Sequence, residues 1–398
     1  MQLRARLFSI GVTALAAIPL ALIGPAEASH ATALPAQATA RSCATAKAGF
    51  ASCKAVVRTD IVAAKSVSPQ ATPSGYGPAQ LQSAYSLPSS TAGGGRTVAI
   101  VDAYDDPTAE ADLGVYRSQF GLPACTTANG CFKKIDQNGG TSYPRTNGGW
   151  AQEISLDIDM VSAICPNCHI LLVEAKSASF ANLGAAVNRA AATSGVVAIS
   201  NSYGGSDASD ATYGSYYNHP GIAVTASSGD NGYGASYPAS SHYVTAVGGT
   251  TLNTASTSRG WTETAWSGAG SGCSAYNTAL TAAASFGTGC AKRAEADVSA
   301  VANPSTGVAV YDSTAYQGLS GWLVFGGTSV SSPIIASVYG LAGNTASIDN
   351  NYPYTHSTSL WDVTSGSNGT CPTTQWCNAR AGWDGPTGLG TPNGIGAF

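Results

Sequence analysis

Phe325-Gly-Gly-Thr-Ser-Val-Ser-Ser-Pro333 decides how the rest of the chain is read. A short apolar run, residues 322–325, enters two glycines, and a helix-like stretch, 332–341, follows. A strand feeding a helix through such a turn puts Ser329 at the helix N-terminus. Free N–H groups and the helix dipole there favour a developing negative charge. Pro333 is expected in the first turn, where its missing N–H costs no intrahelical bond. Taken alone, Gly-Thr-Ser serves equally as a helix cap. Outward from this stretch, buried-strand patterns recur at 96–102, 169–175, 196–202, 222–227 and 243–248. Helix-like segments at 152–164 and 181–192 alternate with them. The alternation predicts an α/β fold, with a central parallel sheet covered by helices on both faces. In such sheets functional residues gather at the carboxyl ends of the strands.

A nucleophilic serine needs a base. None of the histidines, His30, His169, His219, His242 and His356, lies in a His-Gly-Thr helix start. Instead the helix at 152–164 carries Glu153 and Asp157, spaced i, i+4 and therefore on one face. Asp159 points away from them. An acidic pair at this spacing is ordinarily a solvated stripe, but Ile154, Leu156, Ile158, Met160 and Val161 require part of this helix to be buried. A close carboxyl pair shares a proton and can act as a general base at acid pH, where an imidazole is already protonated. Asp230, in Ser-Gly-Asp-Asn-Gly directly after a strand, reads either as a turn residue or as a protonated acid donating to an oxyanion. Asp102 ends the first of the central strands and, without a partner histidine, reads as structural or supporting.

Four stretches in this order resemble the sedolisin family of serine-carboxyl peptidases, relatives of the subtilisins. They are the Glu153-x-x-x-Asp157 helix, Ser228-Gly-Asp-Asn-Gly232, Tyr237-Pro-Ala-Ser-Ser-His-Tyr-Val-Thr-Ala-Val-Gly-Gly-Thr250, and Gly327-Thr-Ser-Val-Ser-Ser-Pro333. Ser200-Asn-Ser-Tyr-Gly204 is similar to the family's substrate-lining strand. The resemblance covers roughly residues 75–398 and implies a subtilisin-like fold. It implies Ser329 as nucleophile, Glu153 as general base and acid, Asp157 as its orienting partner, and Asp230 as the oxyanion-stabilising acid. Near the C-terminus, Leu360-Trp-Asp-Val-Thr-Ser-Gly366 and Ala381-Gly-Trp-Asp-Gly-Pro-Thr-Gly-Leu-Gly390 resemble the family's calcium site. Asp362 and Asp384 would give carboxylates, and Val363, Arg380 and Gly382 backbone carbonyls, an oxygen-only set that suits Ca²⁺. Two departures are visible: the leader is short for the family, and Gly326 stands where a serine is common.

Residues 1–28 read as a signal peptide: Arg4 and Arg6 precede an apolar run that ends before Ala26-Glu-Ala28. Residues 29–74 read as a short pro-segment and linker, and 75–398 as the peptidase domain. Only 10% of residues are charged and the net charge is −4, with no basic run, so nucleic acid is an unsuitable partner. The ten cysteines fall into sequential couples, which suits an oxidising, extracellular compartment, although spacing alone fixes no connectivity. Cys165-Pro-Asn-Cys168 has redox-motif spacing, but export favours a structural disulfide. The expected protein is a secreted, monomeric endopeptidase acting on proteins or peptides at acid pH, free of the membrane once the signal is removed. The rivals are a neutral-pH or narrow-specificity processing peptidase, and a non-catalytic binding protein on a protease scaffold.

Overall fold

The computed structural model describes residues 38–61 and 73–398. The signal peptide at 1–28 and much of the leader at 29–74 lie outside the described residues. The first strands are short: β1 (Thr39–Arg41), β2 (Ser52–Cys53) and β3 (Val56–Arg58). The Cys43–Cys53 disulfide closes the loop between β1 and β2. All ten cysteines bond to their sequential neighbours, Cys165 to Cys168 included.

The central sheet is built from β4 (Thr97–Ala103), β5 (Phe132–Asp136), β6 (His169–Ala175), β7 (Val196–Asn201), β9 (Ala223–Ser227) and β11 (Thr245–Thr254). Their spatial order is β5-β6-β4-β7-β9-β11, all parallel. β12 (Trp261–Ala265) closes one edge antiparallel, and β15 (Val298–Val301) pairs parallel with β11. Strand periodicity sorts the side chains of β4. Val98 and Ile100 join one core with the helices α1 (Pro78–Ala84), α2 (Ala109–Gln119), α3 (Gly148–Ile164) and α6 (Thr328–Ala342). Ala99, Val101 and Ala103 join a second core under α4 (Phe180–Ala191), beside α5 (Asp210–Tyr213). Asp102 has the parity of Val98 and Ile100, so its carboxyl enters the α3/α6 layer.

From β4 the chain runs first toward β5 and β6, then returns to build β7, β9 and β11 on the other side. This reversal opens a crevice at the carboxyl ends, where such sheets hold their ligands. Two small sheets flank it. One has the order β1-β3-β17-β16, with β16 (Val308–Tyr316) and β17 (Leu319–Gly326) forming a hairpin. The other places β8 (Tyr203–Ser206) between β10 (Ser236–Tyr237) and β2. A two-stranded ribbon, β13 (Gly272–Cys273) with β14 (Ala294–Glu295), lies nearby in sequence and carries Glu295. Residues 39–58, within the stretch read as leader, thus contribute strands to both flanking sheets. Among the described residues no helix is long and apolar enough to cross a membrane.

Candidate active site

α3 starts four residues before the expected 152, because Asn147 caps it: its side-chain oxygen accepts from Gly149 N (3.1 Å) and Trp150 N (3.2 Å). The helix then turns Glu153 and Asp157 toward Asp102. All three carboxyls are fully buried. Both oxygens of Asp102, both of Glu153 and Oδ2 of Asp157 have no hydrogen-bond partner. Glu153 lies close enough to Asp157 to help hold the proton of the Asp157 carboxyl. Burial, with Asp102 adding repulsion, holds both well above the ordinary carboxyl range. Burial pushes Asp102 up to about 8. The cluster is therefore short of charge and rich in protons.

Ser329 lies in the first turn of α6. Its hydroxyl donates to Ser202 O (3.2 Å) and stands close enough to Glu153 to oppose the rise in its pKa. Rotation about the Cβ–Oγ bond redirects that proton to Glu153. Ser202, from the Ser200-Asn-Ser-Tyr-Gly204 stretch, also donates its own hydroxyl to Asp157 Oδ1 (2.8 Å). Pro333 is in the second turn of α6, not the first as the sequence suggested, because the helix begins at Thr328. Having no N–H, it leaves the Ser329 carbonyl without an intrahelical donor. Ser202 Oγ approaches that carbonyl at 3.4 Å.

Asp230 follows β9. Its Oδ1 accepts from Thr328 N (2.8 Å) and Thr328 Oγ1 (2.9 Å), which ties it to the residue before Ser329. Its Oδ2 is buried without a partner and faces Gly327, whose φ of +93° suits only glycine. Burial raises the Asp230 pKa, opposed chiefly by Lys54 and the Thr328 hydrogen bonds. The described histidines do not serve Ser329. His169 opens β6 at the far end of the sheet, while His219, His242 and His356 bond to Tyr216, Thr278 and Tyr352 carbonyls.

Known proteins resemble the chain as a whole. No family model matches the chain. Kumamolisin of Bacillus sp. (strain MN-32) is 29% identical over 376 residues, covering 82% of this chain and 64% of kumamolisin, so the chain spans less than two thirds of that relative. Among solved structures, Pseudomonas sedolisin, a serine-carboxyl proteinase complexed with two molecules of pseudo-iodotyrostatin, superposes with a TM-score of 0.66 at 26% identity. That match covers 81% of this chain and 96% of the sedolisin chain. The chain is thus similar in sequence to kumamolisin and in sequence and fold to Pseudomonas sedolisin. The S41 psychrophilic protease, at 18% identity and a TM-score of 0.51 over 81% of this chain and 98% of its own, shares the subtilisin-like fold.

The sedolisin resemblance also directs attention to the C-terminal loops. Asp362 Oδ2 accepts from Gly382 N (2.9 Å) and Asp384 Oδ2 from Arg380 N (3.1 Å), so both carboxylates are pinned to one turn. Burial, with repulsion from Asp362 among the lesser causes, pushes Asp384 up to about 7. Asp384 Oδ1 also accepts from Thr387 N (3.0 Å) and Thr387 Oγ1 (2.8 Å); with the neighbouring turn carbonyls, the two carboxylates form an oxygen donor set of the kind a hard divalent cation takes. Among the described residues no group of three or more His, Cys, Asp or Glu that could hold a metal ion is found.

Sequence reasoning did not single out Ser202 or Thr328 as site residues, although both lie in stretches it quoted. Lys54 gave no signal, because its place in the crevice depends on pairing across the whole chain.

Proposed function

We propose that this chain is a secreted serine-carboxyl endopeptidase acting at acid pH through an acyl-enzyme. The observation that carries the reading is a serine hydroxyl at a helix N-terminus beside a buried cluster of protonated carboxyls, with no histidine in reach among the described residues. Glu153 takes the Ser329 proton as Oγ attacks the scissile carbonyl, and Asp157 steadies Glu153 by sharing its proton. The Ser329 N–H and a protonated Asp230 Oδ2 stabilise the tetrahedral oxyanion. Glu153 then protonates the leaving amine, and water completes the cycle in the same sense. Five disulfides support export to an oxidising compartment. A monomer acting on proteins or peptides agrees with this reading.

Asp362 and Asp384, with the carbonyls of Val363, Arg380 and Gly382, would hold Ca²⁺. The ion would supply positive charge to two carboxylates and brace the C-terminal loops.

Ser329→Ala removes one oxygen from α6 and leaves its packing unchanged. It is expected to abolish hydrolysis of casein while circular dichroism and melting match the parent. Retention of more than a trace of activity by a folded variant would overturn the assignment.

A further inference from the structure

Residues 52–57 cross the crevice as an extended chain, and the pairing on each side differs. On one side β2 runs antiparallel to β8, Ser52 opposite Gly204 and Cys53 opposite Tyr203, and Lys54 N donates to Ser202 O (3.1 Å). On the other side β3 runs antiparallel to β17, Val56 opposite Gly326 and Val57 opposite Phe325. The Lys54–Ala55 peptide bond spans the gap between the two pairings. Its surroundings are those of a bond about to be cut. The Lys54 carbonyl oxygen lies against Gly327, on the side that Asp230 Oδ2 also faces, and a Cβ on Gly327 would collide with it. The Ala55 N–H faces the Glu153 carboxyl without closing a full hydrogen bond. Ser202 O receives both Lys54 N–H and the Ser329 hydroxyl, which brings the Lys54 carbonyl within reach of Ser329.

The Lys54 side chain enters a pocket. It is buried against Gly204, where a Cβ would lie 3.2 Å from its Cε, and it borders a cavity of about 300 Å³ that Asp230, Ser236 and Gly270 also line. Burial lowers the Lys54 pKa overall; Asp230, and less strongly Glu153 and Glu295, oppose this by attracting its ammonium, while Arg41 adds to it. Glu295 is fully buried, with Oε1 held by Ser236 N (3.0 Å) and Oε2 without a partner. The slot is lined mainly by glycines and polar side chains, and burial holds Glu295 behind it well above the ordinary carboxyl range, so its free oxygen is placed to accept a hydrogen bond from a lysine or arginine head. The loop before Lys54 is stiffened by Cys43–Cys53 and by Arg41, whose guanidinium donates to Asp230 O (2.9 Å) and Asn231 Oδ1 (2.8 Å). Stiffening lowers the entropy lost in presenting the bond.

We propose that Lys54–Ala55 is the first bond this active site cuts, and that the Glu295 pocket selects a basic residue on the acyl side of the scissile bond. The proposal rests on the peptidase reading and names its substrate class. In the step, Ser329 Oγ bonds to the Lys54 carbonyl carbon and its proton passes to Glu153. The C–N bond to Ala55 then breaks, and Glu153 returns the proton to the Ala55 nitrogen. Water hydrolyses the resulting ester to a Lys54 carboxyl and restores Ser329. Both Cys43 and Cys53 depart with the leader, so no disulfide holds the cut leader to the enzyme.

The test uses the full chain and its Ser329→Ala, Lys54→Arg, Lys54→Glu and Glu295→Gln variants, incubated at about pH 4 and followed by intact mass and N-terminal sequencing. The parent and Lys54→Arg are expected to gain an amino terminus at Ala55, Ser329→Ala to stay uncut, and Lys54→Glu to slow at least about tenfold. The processed enzyme is then given a peptide library. Cuts are expected after Lys and Arg, and Glu295→Gln is expected to lower the Lys-to-Leu ratio of kcat/KM at least about tenfold. Ser329-dependent hydrolysis of casein with no terminus at Ala55 and no enrichment of basic residues would overturn this proposal alone. Absence of any Ser329-dependent hydrolysis would overturn the peptidase reading with it.

Discussion

Two buried acidic clusters in this molecule differ in whether they are answered. Asp297 is ringed by donors: Arg293 Nη1 at 2.8 Å, Tyr354 Oη at 2.6 Å and Ala246 N at 2.7 Å. The other donors of Arg293 go to Asp297 Oδ2, to the Ala294 carbonyl, and to the Ser241 and Val244 carbonyls, the last two at 3.1 Å. Asp102, Glu153 and Asp157 have no cationic side chain bonded to them, and five of their six oxygens are without a hydrogen-bond partner. Burial of a charged group is tolerable when it is paired and hydrogen-bonded. The first cluster therefore holds the fold together. The second is kept tolerable by staying protonated, and its proton is available for transfer. The contrast separates structural acids from chemical ones on physical grounds, without appeal to relatives.

The strongest way to break the contrast is to remove one partner from each cluster. Arg293→Met leaves Asp297 buried and uncompensated, and is expected to cost about 3–5 kcal/mol in urea unfolding. Asp157→Asn removes an acid from a crowded site. It is expected to leave stability within about 1 kcal/mol at pH 7 or raise it, while kcat/KM falls about 100-fold or more. Equal destabilisation by both substitutions would erase the distinction between the clusters.

How far the sequence could be read follows from the same physics. The strand at 96–102 and the helices at 152–164 and 332–341 were legible because their apolar periodicity is local. Glu153 and Asp157 were legible as a pair because a four-residue spacing in a helix places them together wherever the helix packs. The start of α3 was missed because Gly148 and Gly149 carry no apolar side chain to extend the periodic pattern, while the Asn147 cap shows only in three dimensions. Asp102 was set aside for want of a partner histidine; its true neighbours are carboxyls on α3, brought over it by the parity of β4. Residues 52–57 were unreadable for a different reason. Each of their pairings, with β8 and with β17, joins positions far apart in sequence, and a short Ser-Cys-Lys-Ala-Val-Val run carries no mark of its partner.

A smaller effect sharpens the comparison at a third acidic site. Asp362 and Asp384 also lack a cationic side chain, and calcium is the charge proposed for them. Strong chelator is expected to lower the Tm by about 3 °C or more, and added Ca²⁺ to restore it, because an ion bound only to the folded chain stabilises it by mass action. Unchanged melting in protein shown by elemental analysis to be metal-free would remove the ion from the account.

The most direct test of the central claim, serine chemistry driven by buried carboxyls, is the pH dependence of kcat/KM for the processed enzyme and for Asp230→Asn. The first ionisation of the Glu153–Asp157–Asp102 cluster supplies the base, so activity rises with pH through it. Burial raises that ionisation above the ordinary carboxyl value, and departure of the Lys54 segment relieves part of the burial. Asp230 must stay protonated to donate to the oxyanion, so activity falls as pH rises through its pKa, which burial also raises. The account predicts a bell on the acid side of neutrality. Asp230→Asn, checked to be folded, should lose part of the rate and move its falling limb to higher pH, since the amide donates at any pH. A parent optimum at about pH 8 or above, or a falling limb that Asp230→Asn leaves in place, would contradict it.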